Sequence, residues 1–115
     1  APLTPQTEGI VNAATLAQLP PGAYLINAGR GGLAIEADVL AALRSGRLAG
    51  AWLDVFRQEP LPADSPFWTE PNVIVTPHAA AITRPMPAAL EMADTIRLIR
   101  SGLAPNGLVD LARGY

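Results

Sequence analysis

The segment AYLINAGRGGLAIEADVLAALRSGRLAGAWLDVF, residues 23–56, decides the fold class of this 115-residue chain. It begins with a continuous apolar run, residues 23–26, which is too short for a helix and is bounded by turn-forming residues. It ends with a second apolar run, residues 48–56, which suits a strand buried on both faces. Between them, a Gly-rich loop over residues 27–33 precedes a helical pattern that ends at Gly46. The apolar positions of that pattern are Val39, Leu40 and Leu43. This order predicts a βαβ unit with parallel strands.

Three further elements flank this unit. Asn12 is a predicted N-cap for a short helix over residues 13–19, and Val73-Ile74-Val75 predicts a third strand. Pro85 lies in the first turn of a long amphipathic helix. Its apolar stripe consists of Ala89, Met92, Ala93, Ile96, Ile99 and Leu103. Because the strands are apolar throughout, we expect an α/β fold in which they are buried on both faces of the sheet.

Composition excludes several classes of protein. A formal net charge of -2 offers no cationic footprint for nucleic acid or for an anionic membrane surface. The chain has no Cys and no His, Asp and Glu cluster with metal-ligand spacing, so we expect neither a disulfide framework nor a metal site. No apolar run approaches the roughly 18 residues that cross a bilayer. We therefore expect a soluble, cytoplasmic protein without membrane or nucleic-acid partners.

The chain has the features of part of a larger unit. It begins with Ala1 in a Pro-rich loop, and three strands are few for a parallel sheet, which typically has about 5 to 6. A sheet edge with unpaired backbone groups favours pairing with another strand. We expect the missing sheet to come from an absent segment or from another chain.

The loop Gly29-Arg30-Gly31-Gly32-Leu33-Ala34 fits the dinucleotide fingerprint G-x-G-x-x-G/A, with Asp54 about 20 residues later. Two features oppose a role in binding pyrophosphate. Arg30 places a bulky side chain where backbone must approach phosphate, and Glu36 and Asp38 add negative charge to the following helix N-terminus. We therefore interpret the loop as a Gly-rich turn that requires positive φ angles.

Four polar residues follow the predicted strands and are candidates for chemistry. Arg30 lies where α/β sheets place ligands and could bind a carboxylate bidentately, or it could be a solvated loop residue. His78, the only histidine, follows the third strand, and Glu59 lies in the preceding loop. A carboxylate beside an imidazole favours the charged ring, which suits a proton donor, but a structural histidine is the alternative. Asp54 is either an ordinary loop acid or a cap for a polar ligand group.

Three stretches closely resemble the conserved blocks of the D-isomer-specific 2-hydroxyacid dehydrogenases. They are Ile26-Asn27-Ala28-Gly29-Arg30-Gly31, Asp54-Val55-Phe56 with Glu59-Pro60-Leu61, and Thr76-Pro77-His78. The opening residues 2–7 also resemble the family's loop after the fourth strand, and the resemblance covers essentially all 115 residues. Residues 80–85 and 112–115 are most similar to the glyoxylate/hydroxypyruvate reductase branch.

The resemblance implies a partial Rossmann-like, doubly wound parallel sheet, the second half of a nucleotide-binding domain, plus a long C-terminal helix. Residues 1–103 would be the C-terminal half of an NAD(P)-binding domain with its returning helix, and residues 104–115 an irregular tail. Family members are roughly three times as long and carry their phosphate-binding loop upstream of the residue matched by Ala1. We therefore expect this chain to be a C-terminal fragment.

The resemblance also implies roles for individual residues. Arg30 would bind the carboxylate of a 2-oxo acid and polarise its carbonyl, His78 would be the acid/base, and Glu59 its partner. These three groups would converge around one pocket. The implied cofactor-binding residues are Pro2, Thr7, Ala28, Gly29, Arg30 and Asp54, with Asp54 near the nicotinamide carboxamide.

The implied activity is hydride transfer between NAD(P)H and a small 2-oxo acid such as glyoxylate or hydroxypyruvate, giving the 2-hydroxy acid. The cofactor would be NAD or NADP, with NADP favoured by the branch, and the full-length parent would be a homodimer. The isolated 115-residue chain is expected to be inactive, because it lacks the phosphate-binding half. The alternative is a non-catalytic α/β dimerisation or binding module derived from the family.

Overall fold

A sheet of three parallel strands forms the centre of the fold in the computed structural model, which describes residues 1–114. The strands are β1 (Ala23–Asn27), β2 (Leu48–Leu53) and β3 (Val73–Val75), in the spatial order β1-β2-β3. Their register aligns Asn27 with Leu53 and Leu53 with Val75. The predicted parallel arrangement is confirmed, and all three strands end at the same edge of the sheet.

Two helices precede and connect these strands. Helix α1 (Ala13–Leu16) begins at Asn12, whose side chain accepts hydrogen bonds from the amides of Ala14 and Thr15, as the N-cap prediction required. It ends at Leu16, three residues before the predicted residue 19. The amides of Gln18 and Leu19 instead bond carbonyl oxygens three residues earlier, which tightens the chain beyond the helix into turns. Helix α2 (Glu36–Arg44) connects β1 to β2.

The second strand is shorter than predicted. It ends at Leu53 rather than at residue 56, because Asp54 and Phe56 take part in loop contacts at the edge of the sheet. Phe56 is buried and packs against Phe67 of a short 3₁₀ turn (Pro66–Trp68), with ring centroids 5.6 Å apart. The loop between β2 and β3 is therefore anchored to the core.

The core lies on one face of the sheet. Alternate strand residues, with α1, α2 and the 3₁₀ turn, bury one apolar cluster, and each buried large side chain contributes about 1.5–3 kcal/mol. The cluster consists of Leu16, Ala34, Val39, Ala42, Leu48, Ala51, Leu53, Phe56 and Phe67. This one-sided core explains why β1 and β3 show alternating burial.

The opposite face of the sheet is exposed, so the prediction that the strands are buried on both faces is wrong for this chain. On this face, Tyr24 is 75% exposed, Ile26 72%, Trp52 47% and Ile74 53%. The register places Ile26, Trp52 and Ile74 side by side across the three strands. We call these four residues the exposed row. Apolar strand residues do not reveal whether a chain supplies both covering layers.

The segment from Ala81 onward is a separate compact unit. It contains helix α3 (Pro85–Arg100), which begins with the predicted proline and buries none of its residues. Residues 101–114 contain only turns and irregular backbone, and Tyr115, the last residue of the predicted tail, lies outside the described residues. Across the described chain, no helix has both the length and the apolar character to cross a membrane. The predicted division into residues 1–103 and 104–115 stays a prediction.

Gly31 corrects the interpretation of the Gly-rich loop. Positive φ angles occur at other glycines and at none of Gly29, Gly31 and Gly32. A Cβ on Gly31 would instead lie 1.9 Å from the carbonyl carbon of Phe56 and 2.4 Å from the amide nitrogen of Arg57. Glycine is therefore required at position 31 because two backbone segments approach closely there, and none of the loop's three glycines is needed for a left-handed turn.

Replacing Gly31 by alanine should severely destabilise the chain, because the new Cβ would clash with the backbone of Phe56 and Arg57. Backbone atoms cannot move aside as the end of a flexible side chain can. We expect a loss of at least about 3 kcal/mol in the free energy of unfolding, the upper end of overpacking effects. Urea denaturation measures it. Gly32→Ala is the control, since its Cβ would meet only the side chain of the exposed Leu3, at 3.0 Å. Equal losses for the two variants would contradict this account.

Candidate active site at the carboxyl edge of the sheet

The carboxyl edge collects the polar residues that follow the three strands. Arg30 lies shortly after β1, Asp54 directly follows β2, and His78 lies three residues beyond the end of β3. Parallel strands in register end together, which is why residues far apart in sequence share this edge.

Glu59 and His78 form a direct contact. The imidazole Nδ1 of His78 lies 2.7 Å from Oε2 of Glu59, while Oε1 of Glu59 accepts a hydrogen bond of 2.9 Å from the amide of Phe56. Both carboxylate oxygens are thus engaged, and the ring is held through one nitrogen. Among the described residues, Nε2 has no hydrogen-bond partner. The arrangement is that of an oriented imidazole whose second nitrogen is available to exchange a proton.

The carboxyl group of Glu59 is held in its charged form. The hydrogen bond with His78 lowers its pKa most, followed by the bond from the Phe56 amide. Burial and the nearby charge of Asp54 oppose this effect. The pKa is therefore below the ordinary value, as expected for a carboxylate that receives donors on both oxygens.

Asp54 is buried and is bound by the segment that follows β3. Its Oδ1 accepts hydrogen bonds from the hydroxyl of Thr76 and from the amide of Ala79, at 2.9 Å. Its Oδ2 accepts from the amide of Ala80, also at 2.9 Å. The Thr76 hydroxyl lowers the pKa of Asp54 most, followed by the amides of Ala79 and Ala80. A buried carboxylate with three donors needs no further partner to be stable.

The backbone of His78 is left-handed, with φ of 53°. A residue other than glycine in this conformation costs of order 1–3 kcal/mol and persists where its surroundings determine it. The amide of His78 donates to the carbonyl oxygens of Asp54, at 2.9 Å, and of Thr76, at 3.1 Å. The direction of the imidazole thus depends on contacts with the end of β2.

Arg30 is exposed, and its guanidinium donates to the carbonyl oxygen of Gly29 at 2.8 Å. No hydrogen bond or ion pair joins it to Glu59 or His78 in the described part of the chain. The structure therefore brings two of the three predicted catalytic residues, Glu59 and His78, into direct contact, and neither of them bonds Arg30. Its catalytic role stays a prediction.

Two cavities open at this edge. Glu59 and His78 line one of about 720 Å³, together with the apolar side chains of Phe56, Leu61 and Trp68. Ala28 lines another of about 360 Å³. Asp54 and Thr76 line both. Thr76 is a site residue that the sequence analysis does not predict. The available signal is its hydroxyl, which can bond a neighbouring polar group, at a position directly after β3 and two residues before His78.

The other predicted cofactor residues lie in the N-terminal segment before α1 and in the loop that follows β1. The hydroxyl of Thr7 donates to the carbonyl oxygen of Pro2 at 2.7 Å and accepts from the amide of Thr4 at 2.8 Å. The amide of Gly29 donates to the side chain of Asn27 at 3.2 Å. These contacts hold the loops in place, and the assignment of Pro2, Thr7 and Gly29 to a cofactor stays a prediction.

Among the described residues, no three His, Cys, Asp or Glu side chains are grouped so that they could hold a metal ion. What the edge offers is an imidazole, its carboxylate partner, an exposed guanidinium and apolar cavity walls. This set can transfer a proton to a small polar substrate and pair with an anion.

Residues 1–80 match the family described as D-isomer specific 2-hydroxyacid dehydrogenase, NAD binding domain. The chain belongs to this family. Among curated relatives, glyoxylate/hydroxypyruvate reductase A of Klebsiella pneumoniae subsp. pneumoniae is 52% identical over 114 residues, which is 99% of this chain and 36% of that protein. The corresponding protein of Salmonella paratyphi B is 54% identical over the same coverage. The chain thus spans about a third of the length of these relatives.

Solved structures of the 2-hydroxyacid dehydrogenase family share the fold. A D-isomer specific 2-hydroxyacid dehydrogenase from Xanthobacter autotrophicus Py2, in complex with NADPH and MES, superposes with a TM-score of 0.97 and 51% identity, covering 100% of this chain and 48% of that one. An NADPH-dependent glyoxylate/hydroxypyruvate reductase from Sinorhizobium meliloti, with NADP and sulfate, gives 0.93 and 49%, covering 100% of this chain and 38% of that one. These findings confirm the predicted family and the partial Rossmann-like fold.

Replacing Glu59 by glutamine should make the stability difference from wild type depend on pH. The folded chain keeps the Glu59 carboxylate charged below the unfolded value of 4.5, so the folded state binds fewer protons there. The stabilisation is complete above that pH and is lost as pH falls through the lowered pKa. We expect chemical denaturation to show a wild-type advantage near neutral pH that shrinks below about pH 4.5.

The control for this variant is Glu91→Gln, which alters an exposed glutamate on α3. Its unfolding free energy should follow that of wild type over the same pH range. A Glu59→Gln difference that is the same at every pH would contradict the proposed stabilisation of the charged carboxylate.

Two substitutions of His78 should separate backbone from side-chain effects. Asparagine tolerates left-handed backbone, whereas a β-branched residue does not, so His78→Val should unfold more easily than His78→Asn by about 1–2 kcal/mol. Urea denaturation of both variants measures the difference. The same pair of substitutions at Gln58, which is exposed and has no positive φ, is the control. An equal difference at both positions would show that the left-handed conformation does not matter.

Proposed function

We propose that this chain carries the proton-transfer half of the active site of an NADP-dependent reductase for small 2-oxo acids such as glyoxylate or hydroxypyruvate. The observation that carries the proposal is the 2.7 Å contact between His78 and Glu59 beside a cavity at the carboxyl edge of the sheet. Parallel α/β sheets bind ligands at this edge. The family, and the activity for which relatives at 52% and 54% identity are named, support the reaction class.

His78 is the proposed acid. Its Nδ1 faces Glu59, so Nε2 is the atom that would give a proton to the substrate's carbonyl oxygen as that oxygen becomes an alkoxide. Glu59, held charged, stabilises the protonated ring before the transfer and keeps it oriented. NAD(P)H, when bound, supplies the hydride to the carbonyl carbon.

Arg30 is the proposed partner of the substrate carboxylate. Its guanidinium is exposed and, within residues 1–114, bonds only the neutral carbonyl oxygen of Gly29, so pairing with a carboxylate would gain a charge-assisted bidentate interaction. Strands β1 and β3 flank β2, which places their axes roughly 10 Å apart. A long arginine side chain and a small oxo acid together can span this gap to His78.

The nicotinamide end of the cofactor fits the cavity of about 360 Å³. Its walls include Ile26, Ala28 and Trp52, which suit a flat apolar ring, and the carboxylate of Asp54 is available to a carboxamide N–H. Pro2, Thr7 and Gly29 are assigned to the cofactor by their match to the family. NADP is favoured over NAD, because the two solved relatives described above contain NADPH and NADP.

The 115-residue chain by itself is proposed to be inactive. The loop over residues 29–34 cannot open a backbone cradle for phosphate, because Gly31 is packed against the backbone of Phe56. The relatives have about three times the length, so the rest of their sequence is available to bind the phosphates. A homodimer and a cytoplasmic location are proposed on the same family likeness.

A non-catalytic binding module is the second candidate, and the exposed row is the observation that favours it. Four large apolar side chains on one sheet face are typical of a surface that contacts another protein element. The two candidates differ in whether Arg30, Glu59 and His78 matter for function. A binding module would keep its function when these residues are replaced.

Joining this chain to the upstream part of the Sinorhizobium meliloti reductase gives a direct test. We expect the joined protein to oxidise NADPH with glyoxylate or hydroxypyruvate and the 115-residue chain alone not to. Arg30→Gln should raise KM for the oxo acid by about tenfold or more, the scale of a lost charged hydrogen bond. Steady-state absorbance of NADPH measures both.

The matched control is Arg47→Gln, at the opposite end of β2, where the guanidinium donates to the carbonyl oxygen of Leu19. It should leave KM unchanged. A folded joined protein without activity, or equal kinetics for Arg30→Gln and wild type, would overturn the proposal in favour of the binding module.

A further inference from the structure

We propose that Asp54 is a positioning residue that acts through His78. Its carboxylate, with the hydroxyl of Thr76, holds residues 76–80 in the conformation that presents the imidazole to Glu59. The inference rests on the proposed function for its consequence in catalysis, but the geometry that carries it is independent of any cofactor or substrate.

The contacts of Asp54 lie on both sides of His78 in sequence. Before it, the hydroxyl of Thr76 donates to Oδ1, and after it, the amides of Ala79 and Ala80 donate to Oδ1 and Oδ2 at 2.9 Å each. The amide of His78 itself donates to the backbone carbonyl oxygen of Asp54 at 2.9 Å. The residue directly after β2 thus accepts from four hydrogen-bond donors within residues 76–80, on both sides of the imidazole-bearing residue and at that residue itself.

We call these four hydrogen bonds, from Thr76, His78, Ala79 and Ala80 to Asp54, the clamp. The clamp is needed because the backbone of His78 is left-handed. Without such contacts a histidine would adopt another conformation, since φ of 53° is disfavoured for residues with a Cβ. A strained residue persists only where neighbouring contacts determine it. Because Asp54 is 3% exposed, its bonds to the segment do not compete with water, and each is stronger than an exposed one.

Thr76 connects this clamp to the exposed row. The indole Nε1 of Trp52 lies 3.2 Å from the hydroxyl of Thr76. Because an indole N–H can only donate, the hydroxyl accepts from Trp52 and gives its own hydrogen to Asp54. The hydroxyl therefore has both of its roles filled, and a residue without one would break two bonds at once.

Positioning is distinct from binding a cofactor. Oδ2 of Asp54 receives one hydrogen bond and retains capacity for another, so both roles can coexist. They differ in one respect: a residue that only binds the cofactor does not affect His78 in the cofactor-free chain. The test therefore uses the chain without cofactor.

The experiment is NMR of the full 115-residue chain, isotope-labelled, for wild type, Asp54→Asn, Thr76→Val and Thr76→Ser. Two signals are followed: the hydrogen-bonded Nδ1–H proton of His78 and hydrogen exchange at the amides of Ala79 and Ala80. In Asp54→Asn and Thr76→Val we expect the Nδ1–H signal to be lost. Thr76→Val removes the hydroxyl that donates to Oδ1, and Asp54→Asn puts an amide nitrogen, which cannot accept, in place of one carboxylate oxygen. Each variant thus loses one buried bond of the segment, and exchange at the two amides should be faster by about tenfold or more.

Thr76→Ser restores the hydroxyl and should restore both signals, which separates the hydrogen bonds from packing of the methyl group. Thr69→Val removes the hydroxyl of an exposed threonine directly after the 3₁₀ turn and should leave both signals unchanged. Amide signals away from residues 54 and 76–80 report that each variant is folded. If Asp54→Asn does not fold, the Thr76 pair carries the test.

Wild-type Nδ1–H signals and exchange rates in the folded Thr76→Val or Asp54→Asn variants would overturn the inference. So would loss of both signals in Thr76→Ser. In the joined protein, Thr76→Val should lower kcat, with recovery in Thr76→Ser. An inactive joined protein would refute the proposed function and leave the NMR result on Asp54 standing.

Discussion

The parallel pairing of β1, β2 and β3 is the constraint on which the rest of this structure depends. Because the strands run in the same direction and in register, their last residues lie in one line across the sheet. Every polar group of interest follows one of those ends within a few residues. Antiparallel pairing of the same strands would place the residues that follow β2 and β3 at opposite edges. The parallel topology therefore determines which side chains can meet at this edge.

The order of the elements could be read from the sequence, because apolar runs, the Asn12 cap and the prolines are local signals. The contact of Glu59 with His78 could not be derived from their spacing of 19 residues. It depends on the path of the loop between β2 and β3, which the packing of Phe56 on Phe67 fixes. The family resemblance predicts this pair, because the related proteins fold in the same way and bring the matching residues into contact.

The errors made from the sequence have a common physical origin. The role of Gly31, the early end of β2 and the exposed face all depend on what a residue meets across space. An apolar strand has the same pattern whether one or both of its faces are covered, and glycine is used equally for tight turns and for close approach. Asp54 illustrates the same limit. The sequence alone is compatible with an ordinary loop acid or with a cap for a ligand group, and it does not reveal the bonds of Asp54 to the segment that follows β3.

Trp52 belongs both to the exposed row and to the chain of hydrogen bonds that ends at Asp54. Its indole is half in water, so solvent weakens the first link of that chain. Any surface that settles on the row would lower the dielectric constant around the indole and the Thr76 hydroxyl, and electrostatic attraction along the chain would strengthen. The rigidity of the imidazole would then vary with the hydration of a sheet face that it does not touch.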